Sequence, residues 1–130
     1  MSRTRRGARG LLLGTVMAAV LLLAPAARPQ QPERPTPESF TIEWRATTEP
    51  WRRPALEGYV YNHSRYRVGN VRLRVETLDG EDRVVGERFA WVYGNIPAGS
   101  RWYFSVPLPR DGQRFRLSVA SFHLIAVESP

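Results

Sequence analysis

Over residues 56–108 apolar and polar side chains alternate, and clusters of Gly, Asn, Asp and Pro interrupt them at short intervals. A period of two between turn residues predicts antiparallel strands with one buried face each. Six segments fit. Residues 40–46 put Phe40, Ile42 and Trp44 on one side and Thr41, Glu43 and Arg45 on the other, and the proline-bearing stretch 47–54 reads as a loop. Residues 56–62 place Leu56 and Val60 inward, with Tyr59 and Tyr61 opposite. Val71, Leu73, Val75 and Thr77 form a third buried row against Arg72, Arg74 and Glu76, before a hairpin connection at Asp79-Gly80-Glu81-Asp82. Residues 84–93 are a fourth strand with Phe89, Trp91 and Tyr93 on one face. Ile96-Pro97-Ala98-Gly99 turns the chain into a fifth, lined by Trp102, Phe104 and Val106.

The sixth strand, residues 115–127, changes parity. Phe115, Leu117 and Val119 share one face, whereas Phe122, Leu124 and Ala126 share the other. A one-residue slip sends a whole apolar row to solvent unless an extra residue bulges out, which predicts a bulge or bend at Ala120-Ser121. No segment has a helical period, and no internal repeat is visible. The expected fold is all-β: an immunoglobulin-like antiparallel β-sandwich of six to seven strands, occupying residues 39–128.

The N-terminus changes the picture of where the domain works. Arg3, Arg5, Arg6 and Arg9 precede an apolar run over residues 11–24, and Ala24-Pro25-Ala26 supplies the small residues of a cleavage site. This is the plan of a secretory signal peptide over residues 1–26. The 14 residues of the run would reach roughly 21 Å as a helix, short of the ~30 Å hydrocarbon core. Thr4-Arg5-Arg6 resembles a twin-arginine start, but Ala8 and Arg9 stand where a large apolar residue is expected, which favours ordinary export. Residues 27–38 are proline-rich and polar, an extended linker. The expectation is an exported protein, periplasmic or extracellular, with no stable membrane insertion once the signal is cleaved.

Charge then matters less than it first does. The net charge is +7, and removing the four leader arginines leaves 15 arginines against 12 acidic residues, a net of +3. Every basic residue is Arg, which fits the codon bias of a GC-rich bacterial genome. The arginines alternate with apolar residues or stand near Glu and Asp instead of clustering, which argues against nucleic acid. With no cysteine, the chain has neither a disulfide staple nor a thiolate metal site.

Several short motifs resemble a known family when taken in order. Gly58-Tyr59-Val60-Tyr61-Asn62, the strand Val71-Arg72-Leu73-Arg74-Val75, the turn Asp79-Gly80, the strand Val84-Val85-Gly86 and Ile96-Pro97-Ala98-Gly99 before Phe104 resemble the FxLYD-type domain. The resemblance covers residues 56–108. It departs from the pattern at Val75-Glu76-Thr77-Leu78, where the family usually carries an aromatic. It implies a small immunoglobulin-like module of exported bacterial and archaeal proteins, non-catalytic, with no catalytic residues to transfer.

No residue pattern carries catalysis. The two histidines, His63 and His123, lie apart and without metal-ligand spacing, and no nucleophile elbow marks any serine. No catalytic, cofactor-binding or metal-ligating residue is assigned, and no cofactor is expected. Asn62-His63-Ser64 has the form of a glycosylation sequon but reads as a polar turn. Trp44, Trp91 and Trp102 read as core. Pairing of the second and fifth strands would put Tyr59, Tyr61 and Tyr103 on one outward face, with Tyr66 and Trp51 in adjacent loops. These five aromatics are the candidate binding face, since exposed aromatic rows dock proteins and stack on sugar rings. Arg72, Arg74 and Glu76 against Glu87, Arg114 and Arg116 read as cross-strand ion pairs, or alternatively as a basic patch. The function expected is a non-catalytic envelope module that binds another envelope or extracellular protein through a sheet edge or the tyrosine face. A glycan-binding module using the same tyrosines is the alternative.

Overall fold

The computed structural model describes residues 19, 32–110 and 114–128. The expected leader, Ala19 aside, and the linker residues before Pro32 lie outside them. A 3-10 turn, Pro37–Ser39, leads into six strands: β1 (Phe40–Thr47), β2 (Ala55–Asn62), β3 (Tyr66–Leu78), β4 (Val84–Val92), β5 (Arg101–Pro107) and β6 (Arg114–Val127). They form two antiparallel three-stranded sheets, ordered β1-β2-β5 and β4-β3-β6. The fold is all-β. No helix among the described residues is long and apolar enough to cross a membrane.

The alternating rows meet between the sheets. Leu56, Val60, Phe104 and Val106 come from one sheet and Val68, Val71, Leu73, Val75, Val92 and Val119 from the other, all buried. Ile42 and Trp44 pack at the margin of this cluster. Trp91 and Trp102 do not join it. On β4 the inward row is Ala90 and Val92, because Val92 pairs with buried Val71, so Phe89, Trp91 and Tyr93 point outward. Trp102 shares the parity of Phe104 and pairs with buried Val60, but stays part-exposed at the open side of the edge strand. Size misleads here; parity decides.

The pairing of β6 slips where the sequence demands it. Arg72 pairs with Ser121 and Leu73 with Val119, which leaves Ala120 as the extra residue. Phe122 thereby turns inward, its ring centroid 4.9 Å from that of Phe40. Two further slips follow, one between Gly69 and Arg72 on β3 and one that leaves Ile125 unpaired between Leu124 and Ala126. The alternation is broken again before a new inward row forms, and Leu124 and Ala126 remain exposed, contrary to the parity expectation.

Two positions on β2 hold the architecture in place. Gly58 faces Trp44 of β1, and a Cβ there would lie 1.8 Å from the Glu43 carbonyl oxygen. No side chain fits such a backbone approach. Asn62 ends β2 almost wholly buried. Its Nδ2 donates to the carbonyls of Tyr66 at 2.7 Å, Ile96 at 3.2 Å and Pro97 at 3.3 Å. Its Oδ1 accepts from the Ser64 backbone N–H at 3.0 Å and hydroxyl at 2.7 Å. The sequon reading ends here, since this amide has no access to a glycosylating enzyme.

Asn62→Ala leaves those carbonyls without their donor and is expected to cost about 3 kcal/mol. Gly58→Ala forces β1 off β2 and is expected to cost at least ~2 kcal/mol. Urea unfolding followed by tryptophan fluorescence measures both; a loss under a few tenths of a kcal/mol in either would contradict the assignment.

Candidate binding surfaces

β2 pairs with β5 so that Tyr59 stands directly opposite Tyr103. Their rings meet edge-on, 5.9 Å between centroids. Tyr61 follows on the same outward face of β2, stacked on His63 at 6.2 Å. The structure thus brings Tyr59, Tyr61 and Tyr103 together as expected. Tyr66 it does not: β3 begins at Tyr66, whose side chain is 7 % exposed in the core and whose hydroxyl donates to the Pro32 carbonyl at 3.0 Å. Strand pairing with Val127 draws it in, where the turn after Asn62 had suggested a loop. Trp51 is 80 % exposed, in the β1–β2 connection. That connection joins the opposite end of β2 from Tyr61.

The hydroxyls of this face are already committed. Tyr61 donates to Glu43 Oε2 at 2.8 Å and accepts from Arg101 Nη1 at 3.3 Å. Tyr103 donates to Glu57 Oε2 at 2.9 Å. The same carboxylate takes Arg52 Nη2 at 3.0 Å, while its Oε1 takes Arg45 Nη2 at 3.2 Å. The Tyr103 hydroxyl holds the Glu57 carboxyl below the usual carboxylate range, against its burial and with help from Arg45 and Arg52. Arg101 lies 4.1 Å over the Tyr59 ring and covers the face on which a flat ligand would stack. The tyrosine face is largely an internal network.

Sheet β4-β3-β6 shows a second outward row that parity alone had grouped but burial had been expected to hide. Arg72 lies 4.0 Å over Phe89 and 5.7 Å from Trp91. Arg116 pairs with Glu76 at 2.6 Å and Arg74 with Glu87 at 3.6 Å, and Arg114 pairs with Asp82. The basic patch is therefore mostly neutralised by cross-strand pairs.

Between the free edges of β4 and β5 runs an open groove of about 590 Å³. Trp91, Tyr93, Trp102 and Tyr103 line it with Arg101, Phe104 and Ser105. Trp91 is 54 %, Tyr93 85 % and Tyr103 49 % exposed. One bond crosses the groove's end: Trp102 Nε1 donates to the Tyr93 carbonyl at 2.6 Å. Gly94 permits it, at φ +101°, where a Cβ would sit 2.8 Å from the indole. Exposed aromatics gathered at unpaired strand edges are what the residue-by-residue reading missed. The signal was present in the outward parity of Phe89, Trp91 and Tyr93.

The histidines are engaged separately. His63 Nε2 lies 2.8 Å from Thr41 Oγ1, and His123 Nδ1 lies 3.1 Å from Asn70 Nδ2. No group of three or more His, Asp or Glu among the described residues could hold a metal ion. No family model, curated protein or solved structure matches this chain.

The carboxyl of Glu57 titrates lower in the folded chain than in the unfolded one, so its contribution is present above the unfolded value of about 4.3 and is lost as pH falls through the folded one. Asp79, held by the backbone N–H groups of Arg83 and Glu81, acts in the same direction. Glu57→Gln is expected to lower stability at neutral pH and to flatten, without abolishing, the loss of stability in acid. Thermal melts from pH 7 to pH 3 test this; parallel pH profiles for the two proteins would refute it.

Proposed function

We propose that this chain is a non-catalytic, immunoglobulin-like binding module of the cell envelope, exported by its N-terminal signal, that docks a protein partner along the open β4/β5 side. The observation that carries the reading is the groove there. Trp, Tyr and Arg are the residues that dominate protein interfaces, and Trp91, Tyr93, Trp102, Tyr103 and Arg101 converge on one exposed strip. The strand order supports the immunoglobulin-like part of the proposal. β1-β2-β5 corresponds to strands A, B and E, and β4-β3-β6 to C′, C and F of that fold. The FxLYD-type resemblance agrees with it: Gly58 and Asn62 of the Gly-x-Val-x-Asn motif are the close-approach glycine and the buried amide.

A protein partner is favoured over a glycan by the state of the tyrosines. Tyr59 is covered by Arg101, Tyr61 by His63, and the Tyr61 and Tyr103 hydroxyls bind within the domain. A sugar ring needs an uncovered aromatic face and free polar neighbours.

Cross-linking in the native envelope, comparing the wild type with a Trp91→Ala/Tyr93→Ala variant, tests the proposal. Both side chains point to solvent, so the variant is expected to fold with near-native stability and to lose at least about tenfold in cross-linked partner, as hot-spot truncation does. Undiminished cross-linking would reject the groove. Calorimetry with envelope glycans separates the alternative: binding abolished by Tyr59→Ala/Tyr61→Ala would favour the sugar-binding reading instead.

A further inference from the structure

The groove is lined by Arg101, Trp102, Tyr103, Phe104 and Ser105, five consecutive residues of one strand. Side chains of a strand alternate between faces, so only an object lying along the free edge touches all five. The direction of the backbone groups on that edge follows from two hydrogen bonds. Asn62 N donates to Ser100 O at 2.8 Å, and Leu108 N donates to Pro54 O at 3.1 Å. Residues 100 and 108 therefore turn their backbone groups toward β2, and by alternation so do 102, 104 and 106. Arg101, Tyr103 and Ser105 turn theirs outward. Pro107, which has no N–H, stands in the outward set, where a proline on an edge strand belongs. Among the described residues β5 pairs with β2 alone.

We infer that the occupant of this edge is a second copy of the chain, joined β5 to β5 in antiparallel register about Tyr103, so that the two β1-β2-β5 sheets become one of six strands. The inference rests on the reading that the open side binds protein, and it names the partner. A two-fold axis at Tyr103 pairs each Tyr103 with its counterpart, so both exchange N–H and C=O bonds. The same register sets Arg101 opposite Ser105 of the second copy, again both with outward-facing backbone groups. Trp102 then stands opposite Phe104 of the second copy on the inner face. Aromatic cross-strand pairs are favourable, and no like charges meet.

The neighbouring edge is less favourable in its central registers. A two-fold axis at the middle of β4 sets Arg88 against Arg88, and one residue earlier it sets Glu87 against Glu87. Like charges directly opposite disfavour both registers. An unpaired edge rich in aromatics, with only Arg101 and Pro107 at its ends to blunt it, is also a ready template for strand pairing. The four-stranded immunoglobulin sheet places its D strand at this position, next to E. Here the second copy takes that place.

Sedimentation equilibrium on the protein purified from the envelope tests the inference, from nanomolar to sub-millimolar concentration. A reversible dimer is expected. Ser105→Arg places like charges opposite each other twice in the proposed register, while inside one copy it faces the Glu57 carboxylate. It is expected to weaken dimerisation at least about tenfold without lowering the melting temperature. Ser105→Pro removes an outward N–H and no bond to β2, and is expected to weaken the dimer similarly with the far-ultraviolet circular dichroism unchanged. A wild-type monomer throughout the range overturns the inference, as does a dimer insensitive to both substitutions. If the wild type is monomeric while Trp91→Ala/Tyr93→Ala still abolishes envelope cross-linking, self-pairing alone fails and the groove remains a docking site for another protein. If that double variant also changes nothing, both readings fail together.

Discussion

One buried amide organises this domain. Asn62 lies where β2 ends, and its side chain reaches the β2–β3 turn through Ser64, the first residue of β3 through the Tyr66 carbonyl, and the β4–β5 connection through Ile96 and Pro97. A small β-sandwich buries its strands easily, because their backbone groups satisfy one another. Its difficulty is the crossing points, where chain passes between sheets and carbonyls are left in the core without ladder partners. Asn supplies two donors and an acceptor in a side chain smaller than that of valine or leucine in this core, so a single side chain serves three segments. The adjoining pair of bonds between Val68 and Ile96 extends the same lock, holding the long connection beside β3.

How far this was legible in the sequence depends on whether a local period or a three-dimensional juxtaposition was at stake. Strand existence followed from alternation, and the bulge at Ala120 followed from a break in alternation that sheet geometry could not otherwise accommodate. The shared outward face of Tyr59, Tyr61 and Tyr103 followed from placing the second and fifth strands side by side, whereas the direct Tyr59–Tyr103 register did not. The errors share a different cause. Trp91 was expected inside because large apolar residues usually are, yet the row opposite Val71 needed a side chain the size of Val92. Tyr66 was expected outside because it follows a polar turn, yet the β3–β6 pairing runs five residues beyond the obvious apolar row. Asn62 looked like a turn residue, and no periodicity marks a polar side chain whose partners lie 34 and 35 positions away.

The tyrosine face shows how a feature that suggests function in a sequence can be spent on structure. Glu57 is a carboxylate on the outward side of a sheet, and it is nonetheless nearly buried, beneath Tyr103 and between Arg45 and Arg52. Those arginines come from β1 and from the β1–β2 connection, so the cluster clamps the edge of the sheet and its loop onto β2. Arg101 and Glu43 do the same at the other end through Tyr61. The exposed ion pairs in this set contribute little singly, but a hydrogen-bonded group converging on one shielded carboxylate holds its members in place.

The two flanks of the sandwich are closed by unequal means. On the β1/β6 flank, Phe40 meets Phe122 and Trp44 meets Phe115, aromatic contacts at 4.9 and 6.2 Å that bridge the two sheets. On the β4/β5 flank the inner rows carry Ala90 and Val92 from β4 and Phe104 and Val106 from β5, and the Trp102–Tyr93 hydrogen bond crosses at one end. Phe104 is buried there, whereas Trp91, Tyr93 and Tyr103 point outward. Turning Trp91 inward would flip the whole β4 row and send buried Val92 to solvent, so the register that seats Val92 opposite Val71 leaves the indole outside. It lies exposed beside Tyr93, next to the β5 edge with its outward-facing N–H groups. Under the proposed function, a chain covering this edge would bury those side chains, which favours the open flank over the internally bonded tyrosine face as the docking surface.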